Sequence, residues 1–236
     1  MSRLAIIPAR GGSKRIPGKN IKPFHGKPML AYSIEAVQAS GLFTRIVVST
    51  DDPAIAQLAL QLGAEVPFSR PAHLADDHAT TLAVMQHAVA TLAGPGTGVE
   101  YVCCVYATAP FIQAADLQRG FALLAAQPSK SYAFSVTDFA FSVQRAIRID
   151  AQGAIAALYP QYREVRSQDL EPAFHDAGQF YWGRTAAWLR ADPLFSALAL
   201  PVVLPRYLVQ DIDTPHDWRR AELMYQALLA SGEISV

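Results

Sequence analysis

The chain has 236 residues, 51% of them apolar, and its twenty basic residues balance twenty acidic ones. That is enough apolar material for one large domain, or for a domain with a small appendage. A net charge of zero excludes a global pull toward nucleic acid or membrane surfaces, so any electrostatic function must be local.

The N-terminal run LAII is too short for the apolar region of a signal peptide, and no stretch reaches the length of a membrane span. The two cysteines, Cys103 and Cys104, are neighbours in an apolar segment. In a strand they face opposite sides and are poorly placed to bridge each other. No zinc spacing surrounds them. Packing thiols in a cytoplasmic protein are the expectation, with neither nucleic acid nor membrane as partner.

Taken in chain order, LAIIPA (4–9) is a continuous apolar run of the kind found in buried parallel strands. Residues 28–40 space Leu30, Ile34 and Val37 as a helix does. RIVVST (45–50) is β-branched and reads as the second strand. Asp52 and Pro53 supply an N-cap and a first-turn proline for a helix that Gly63 stops. AEVPF (64–68) reads as a short strand, 80–92 as a helix and 101–107 as a deeply buried strand. Residues 113–126 read as a helix and 131–136 as a strand. Strands that alternate with helices predict βαβ units and a mostly parallel sheet covered on both faces.

The pattern breaks over 138–180, where charged and aromatic residues mix without helical period. An inserted arm, part β-hairpin, is predicted. Its Tyr159, Tyr162 and Phe174, with Tyr181 just beyond, are many aromatics for an exposed arm, and a partner subunit would cover them. The body resumes with a strand near 178–183, a short helix near 185–191 and strands near 201–209. A last helix starts at Pro215 with Thr214 as cap.

The first strand runs into "IIPARGGSKRIPGKN" (6–20), a glycine-containing loop crowded with cations. Seven Lys and Arg residues precede the first acid of the chain, Glu35. A strand, a glycine loop and a helix make the usual phosphate cradle of α/β proteins. Gly11-Gly12 does not supply G-x-G-x-x-G. Five residues separate Gly12 from Gly18, and Asn20 follows Lys19 where a P-loop has Ser or Thr. Neither a dinucleotide enzyme nor a P-loop NTPase is supported. Arg10, Lys14, Arg15, Lys19 and Lys22 still call for a polyanion. Thr108 follows the long central strand at its C-terminal end, a site position in open α/β sheets.

"IPARGGSKRIPGKNI" resembles the signature loop of the acylneuraminate cytidylyltransferases, the CMP-sugar synthetases of nonulosonic acids. "GKPMLAYSI", "VVSTDD", "GAEVPFSRP", "ATAPF" and "QDIDTP" extend the resemblance over nearly the whole chain. Within the family, "YATAPF" and "HDAGQFYWG" look most like the branch that activates pseudaminic acid. The resemblance implies a three-layer Rossmann-like nucleotidyltransferase fold, with residues 1–236 as one domain and 138–180 as a dimerisation insert. It implies CTP and a nine-carbon acidic sugar as substrates, a homodimer formed through the arm, and Mg²⁺ as cofactor.

The resemblance also assigns residues. Arg10, Lys14 and Lys19 would hold the phosphates, with Gly11, Gly12, Ser13 and Asn20 contacting substrate from the same loop. Asp211 and Asp213 would hold Mg²⁺, with Asp211 catalytic. Two apart in an extended segment, they share a face, and two carboxylates plus phosphate oxygens suit that ion. Asp217 reads instead as a helix-start carboxylate. Arg70, Thr80 and Thr81 match positions that hold cytidine, although Thr80 is equally suited to capping. Tyr106 stands where the neuraminate enzymes carry glutamine, which favours a differently substituted sugar. Gln179 and Tyr181 would line the sugar side. Sister enzymes using N-acetylneuraminate, legionaminate or Kdo remain open, as does a non-catalytic nucleotide-binding regulator on the same fold.

Overall fold

In the computed structural model, which describes residues 2–94 and 96–234, the first strand β1 (Ser2–Pro8) buries Leu4, Ala5, Ile6 and Ile7 completely or nearly so. A strand with no polar face belongs in the middle of a covered sheet. Two tiny strands follow, β2 (Pro23–Phe24) and β3 (Lys27–Pro28), around a tight turn whose His25 and Gly26 both have positive φ. Then come α1 (Met29–Ala39), β4 (Arg45–Ser49), α2 (Pro53–Gln61), α3 (Thr81–Leu92), β5 (Val99–Val105) and α4 (Ala114–Ala125). The chain continues through β6 (Tyr132–Asp138), β7 (Ile147–Ile149), β8 (Ile155–Ala157), β9 (Phe174–Arg184), α5 (Thr185–Arg190), β10 (Ala199–Val203) and α6 (Pro215–Ser231).

Six strands form the main sheet in the order β10-β6-β9-β5-β1-β4. Every neighbouring pair is parallel except those made by β9, which runs antiparallel to both β5 and β6. The reason is the connection. β6 leaves the sheet for the arm, and β9 returns beside it with no crossover helix to reverse its direction.

Alternation along the strands divides the core. Ala5, Ile7, Cys103 and Trp182 pack with α1, α2 and α4 on one face. Leu4, Ile6, Cys104 and Tyr181 pack with α3 and α5 on the other. The two thiols therefore sit on opposite faces as expected, fully buried, and burial raises the pKa of both. The Trp182 and Trp188 indoles are fully buried, and each donates to a backbone carbonyl, of Leu117 and Val102. A large apolar side chain so placed contributes about 1.5–3 kcal/mol by leaving water. A third cluster joins Ile16 of the basic loop to Phe24, Tyr32 and the Trp218–Tyr225 face of α6.

Three local expectations are corrected. Residues 64–68 form no strand; Glu65 and Ser69 make only isolated parallel bridges to Val47 and Thr50. The strand predicted near 178–183 starts at Phe174, so the arm proper lies between Asp138 and Phe174. Phe139 donates to the Ala173 carbonyl at its base, and β7 and β8 form its antiparallel hairpin. Strand structure predicted up to 209 ends at Val203. Pro205 has no N–H for the ladder, and a 3₁₀ turn over Arg206–Leu208 follows. Among the described residues, no helix is long and apolar enough to cross a membrane.

Candidate active site

The basic loop begins where β1 ends, at the C-terminal edge of the parallel strands. Ala9 donates to the Ser49 carbonyl of β4, and Gly11 donates to Asp51 Oδ1 at 3.1 Å. A side chain at Gly11 would bring its Cβ to 2.6 Å from Asp52 Oδ2, so only glycine lets the loop lie against this acidic corner. Asp52 itself caps α2 through the amides of Ala54 and Ile55. Two further pins hold the loop. Ile16 is buried in the third cluster, and buried Asn20 donates from Nδ2 to the Arg10 carbonyl at 2.9 Å.

Its cations are paired within the fold. Arg10 and Lys14 hold Asp77 at 2.7 and 2.5 Å. Lys14 and Arg10 together lower the Asp77 carboxyl to about 2. Arg15 reaches Asp213 Oδ2 at 2.7 Å. Lys19, the least exposed of the four, donates to the Ile212 carbonyl at 2.6 Å and lies 3.3 Å from Asp213 Oδ1. The loop thus faces acids from two distant segments, one before α3 and one before α6.

Between the loop and α3 lies a cleft of about 240 Å³. Arg10, Ser13, Lys19 and Asn20 line it from the loop, and Arg70, Thr81, Tyr106 and Thr108 from the opposite side. Arg70 is buried, and its guanidinium donates to the Ser49 carbonyl and hydroxyl. Burial lowers its pKa, against the opposing pull of Asp51. One wall of the cleft is therefore cationic, and the other carries hydroxyls.

A second cleft of about 330 Å³ opens beside Asp211, with Asp138, His175, Asp176, Arg206 and Arg220 in its walls. Ile212 is fully buried, which turns Asp211 and Asp213 outward on either side of it. Burial of its surroundings raises the Asp211 pKa, and the Asp213 charge raises it further. Two hard oxygen donors that repel each other are a fitting seat for a divalent cation, with substrate oxygens completing the shell. Among the described residues no cluster of three His, Cys, Asp or Glu exists to form a metal cage without substrate.

Several of the expected site residues have other partners in the structure. Thr80 caps α3 through the Ala83 amide and is not among the residues that line the first cleft. Lys14 is largely exposed on Asp77 and lies outside the cleft lining, as do Gly11 and Gly12. Gln179 is buried and donates to the Leu208 carbonyl at 2.5 Å, positioning the turn that leads to Asp211. Tyr181 is also buried, with its hydroxyl on Asp176, and lines neither cleft. Asp217 forms a capping box with Thr214, as its helix-start reading expects. Asp77 and Asp176 were not singled out as site residues. Asp77 has no motif because its partners, Arg10 and Lys14, lie far along the chain, whereas Asp176 meets the nearby Gly178 amide and Tyr181 hydroxyl.

The family model for cytidylyltransferases matches residues 4–177. The chain belongs to the cytidylyltransferase family. It is 43% identical over 226 residues to the pseudaminic acid cytidylyltransferase of Campylobacter jejuni, covering 96% of this chain and 97% of that one. It is 30% identical to the CMP-N,N'-diacetyllegionaminic acid synthase of Legionella pneumophila, again covering 96% and 97%. In fold, this cytidylyltransferase is similar to the CMP:2-keto-3-deoxy-manno-octonic acid synthetase solved with CTP. The TM-score is 0.71 at 17% identity, over 97% of this chain and all of that one.

Proposed function

We propose that this cytidylyltransferase joins CTP to pseudaminic acid, forming CMP-pseudaminic acid and pyrophosphate. The arrangement that carries the reading is Lys19, which lines the cationic cleft and also touches the Ile212-Asp213 segment. It ties a triphosphate-sized cradle to the paired carboxylates. The 43% identity to the Campylobacter jejuni enzyme supports pseudaminic acid as acceptor, as does Tyr106 in place of the glutamine of neuraminate enzymes.

Arg10 and Lys19 neutralise the triphosphate, and Arg10 exchanges Asp77 for phosphate as CTP enters. Arg70 and Thr81 face the base and ribose. Asp211 and Asp213 would hold Mg²⁺, which would offset the charge that builds on the α-phosphate. The sugar takes the cleft beside Asp211, with its anomeric oxygen in line with the α-phosphorus. That oxygen bonds to phosphorus as the bond to pyrophosphate breaks, and its proton passes to water. Positioning and charge neutralisation supply the rate.

Pyrophosphate release with CTP, Mg²⁺ and a panel of acceptors tests this. Pseudaminic acid is expected to react well ahead of N,N'-diacetyllegionaminate, N-acetylneuraminate and Kdo. A preference for another acid would overturn the acceptor. No release with any of them would leave a nucleotide-binding regulator.

The protein is read as a cytoplasmic homodimer. CTP is an intracellular nucleotide, and two free thiols suit a reducing compartment. The arm exposes Phe141 at 87%, Ile149 at 69% and Ile155 at 68%, apolar surface that a second arm would cover. Sedimentation is expected to show a dimer that the double variant Ile149→Asp, Ile155→Asp splits into monomers. A native monomer at micromolar concentration would sink the dimer.

A further inference from the structure

The cleft beside Asp211 is walled by three acids, Asp138, Asp176 and Asp211, with two cations, Arg206 and Arg220, among them. Most of these charges already have partners. Asp176 Oδ1 accepts from the Gly178 amide at 2.8 Å, and its Oδ2 accepts from the Tyr181 hydroxyl. Arg206 lies 3.6 Å from Asp138 and donates to the Phe139 carbonyl at 3.2 Å. His175, in the same wall, has Nδ1 2.8 Å from the Asp176 carbonyl, so that nitrogen carries a proton and donates it.

Arg220 differs. Among the described residues its guanidinium has no hydrogen-bond or ion-pair partner, whereas its neighbour Arg219 reaches Glu222 at 3.5 Å. Its place is nonetheless fixed. The helix α6 buries Trp218 and Ala221 on either side of it, and the capping box of Thr214 and Asp217 holds the first turn. An unpaired cation held in the wall of an acid-lined cleft is set up to receive an anion.

A nonulosonic acid brings that anion. Its carboxylate is bonded to the anomeric carbon, the one that carries the reacting hydroxyl. With the hydroxyl at the α-phosphorus, the carboxylate lies inside this cleft, where Asp138, Asp176 and Asp211 repel it. We propose that Arg220 binds the carboxylate of the acceptor, so that the site takes acidic sugars and rejects neutral ones. The proposal rests on the reading that this cleft holds the sugar. The guanidinium offers two parallel N–H donors to the two carboxylate oxygens, which fixes the orientation of the anomeric carbon and offsets the charge beside it. Arg206 does not serve, since Asp138 and the Phe139 carbonyl already occupy it.

The test pairs a change in the protein with a change in the sugar. Pyrophosphate release is measured at saturating CTP and Mg²⁺ with pseudaminic acid and with its neutral C1 carboxamide. The native enzyme is expected to favour the acid by about a hundredfold in kcat/KM. Arg220→Gln should lower kcat/KM for the acid by about a hundredfold, mostly through KM, and bring the acid-to-amide ratio close to one. Arg220→Lys, which keeps the charge and loses the fork, should restore part of the ratio. The KM for CTP should stay native in both variants, as it would not in a damaged fold. An acid-to-amide ratio that stays native in Arg220→Gln would overturn the proposal, even with both sugars slower, and so would a native enzyme that does not tell the two apart. A native enzyme that uses neither sugar would instead overturn the acceptor reading.

Discussion

Replacing Asp211 with alanine is expected to lower kcat by about a thousandfold, or ~4 kcal/mol, while CTP binding measured without metal should survive. The carboxylate sits in the second cleft with its charge disfavoured by burial and by Asp213. Such a group gains most from a divalent cation and gives little to nucleotide binding in its absence. The side chain is not part of the core, since buried Ile212 anchors the segment, so the fold should tolerate the change. Two measurements separate the possibilities: turnover at saturating Mg²⁺, and CTP affinity with chelator present. Unchanged turnover would remove Asp211 from the metal site. Loss of metal-free CTP binding would show that the substitution damages the cradle itself.

Lys19→Ala is expected to cost about a hundredfold in kcat/KM for CTP, mostly through KM. The residue is largely shielded from water, so its charge acts on phosphate with little screening. Its loss also leaves the Ile212 carbonyl without its donor, and Asp213 with Arg15 as its remaining cation. Lys19→Arg should recover only part of the activity. A planar fork cannot reproduce a point charge that serves a carbonyl and a carboxylate at once. The salt dependence of the CTP KM should also weaken in the alanine variant. An alanine variant with native KM and native salt dependence would take Lys19 off the phosphates.

Much of this was legible before any coordinates. The helices starting at Pro53, Thr81 and Pro215 are capped by Asp52, Thr80 and Thr214, as local chemistry requires. The failure of "ARGGSKRIPGKN" to fit either common glycine-loop template pointed to a different phosphate cradle. In the structure Arg10, Ser13, Lys19 and Asn20 line one cleft. The acids that meet this loop come from elsewhere in the chain. Asp77 and Asp213 both pair with it, from 63 and 194 residues beyond Lys14 and Lys19. For Gln179 and Tyr181 the sequence leaves the contact open, because an inward-facing strand position looks the same whether its side chain meets a ligand or a neighbouring protein group.

By itself, then, the sequence determined the main helices, their order and the buried central strands. Each of these depends on residues within a few positions of one another, through hydrophobic period, caps and glycines. Only the tertiary structure decided which acid each loop cation faces, that β9 runs antiparallel, and that Thr81 meets the Tyr106 hydroxyl. Those contacts join residues brought together by sheet order and by the returning arm, and no local pattern encodes a hydrogen bond whose partner arrives from another strand.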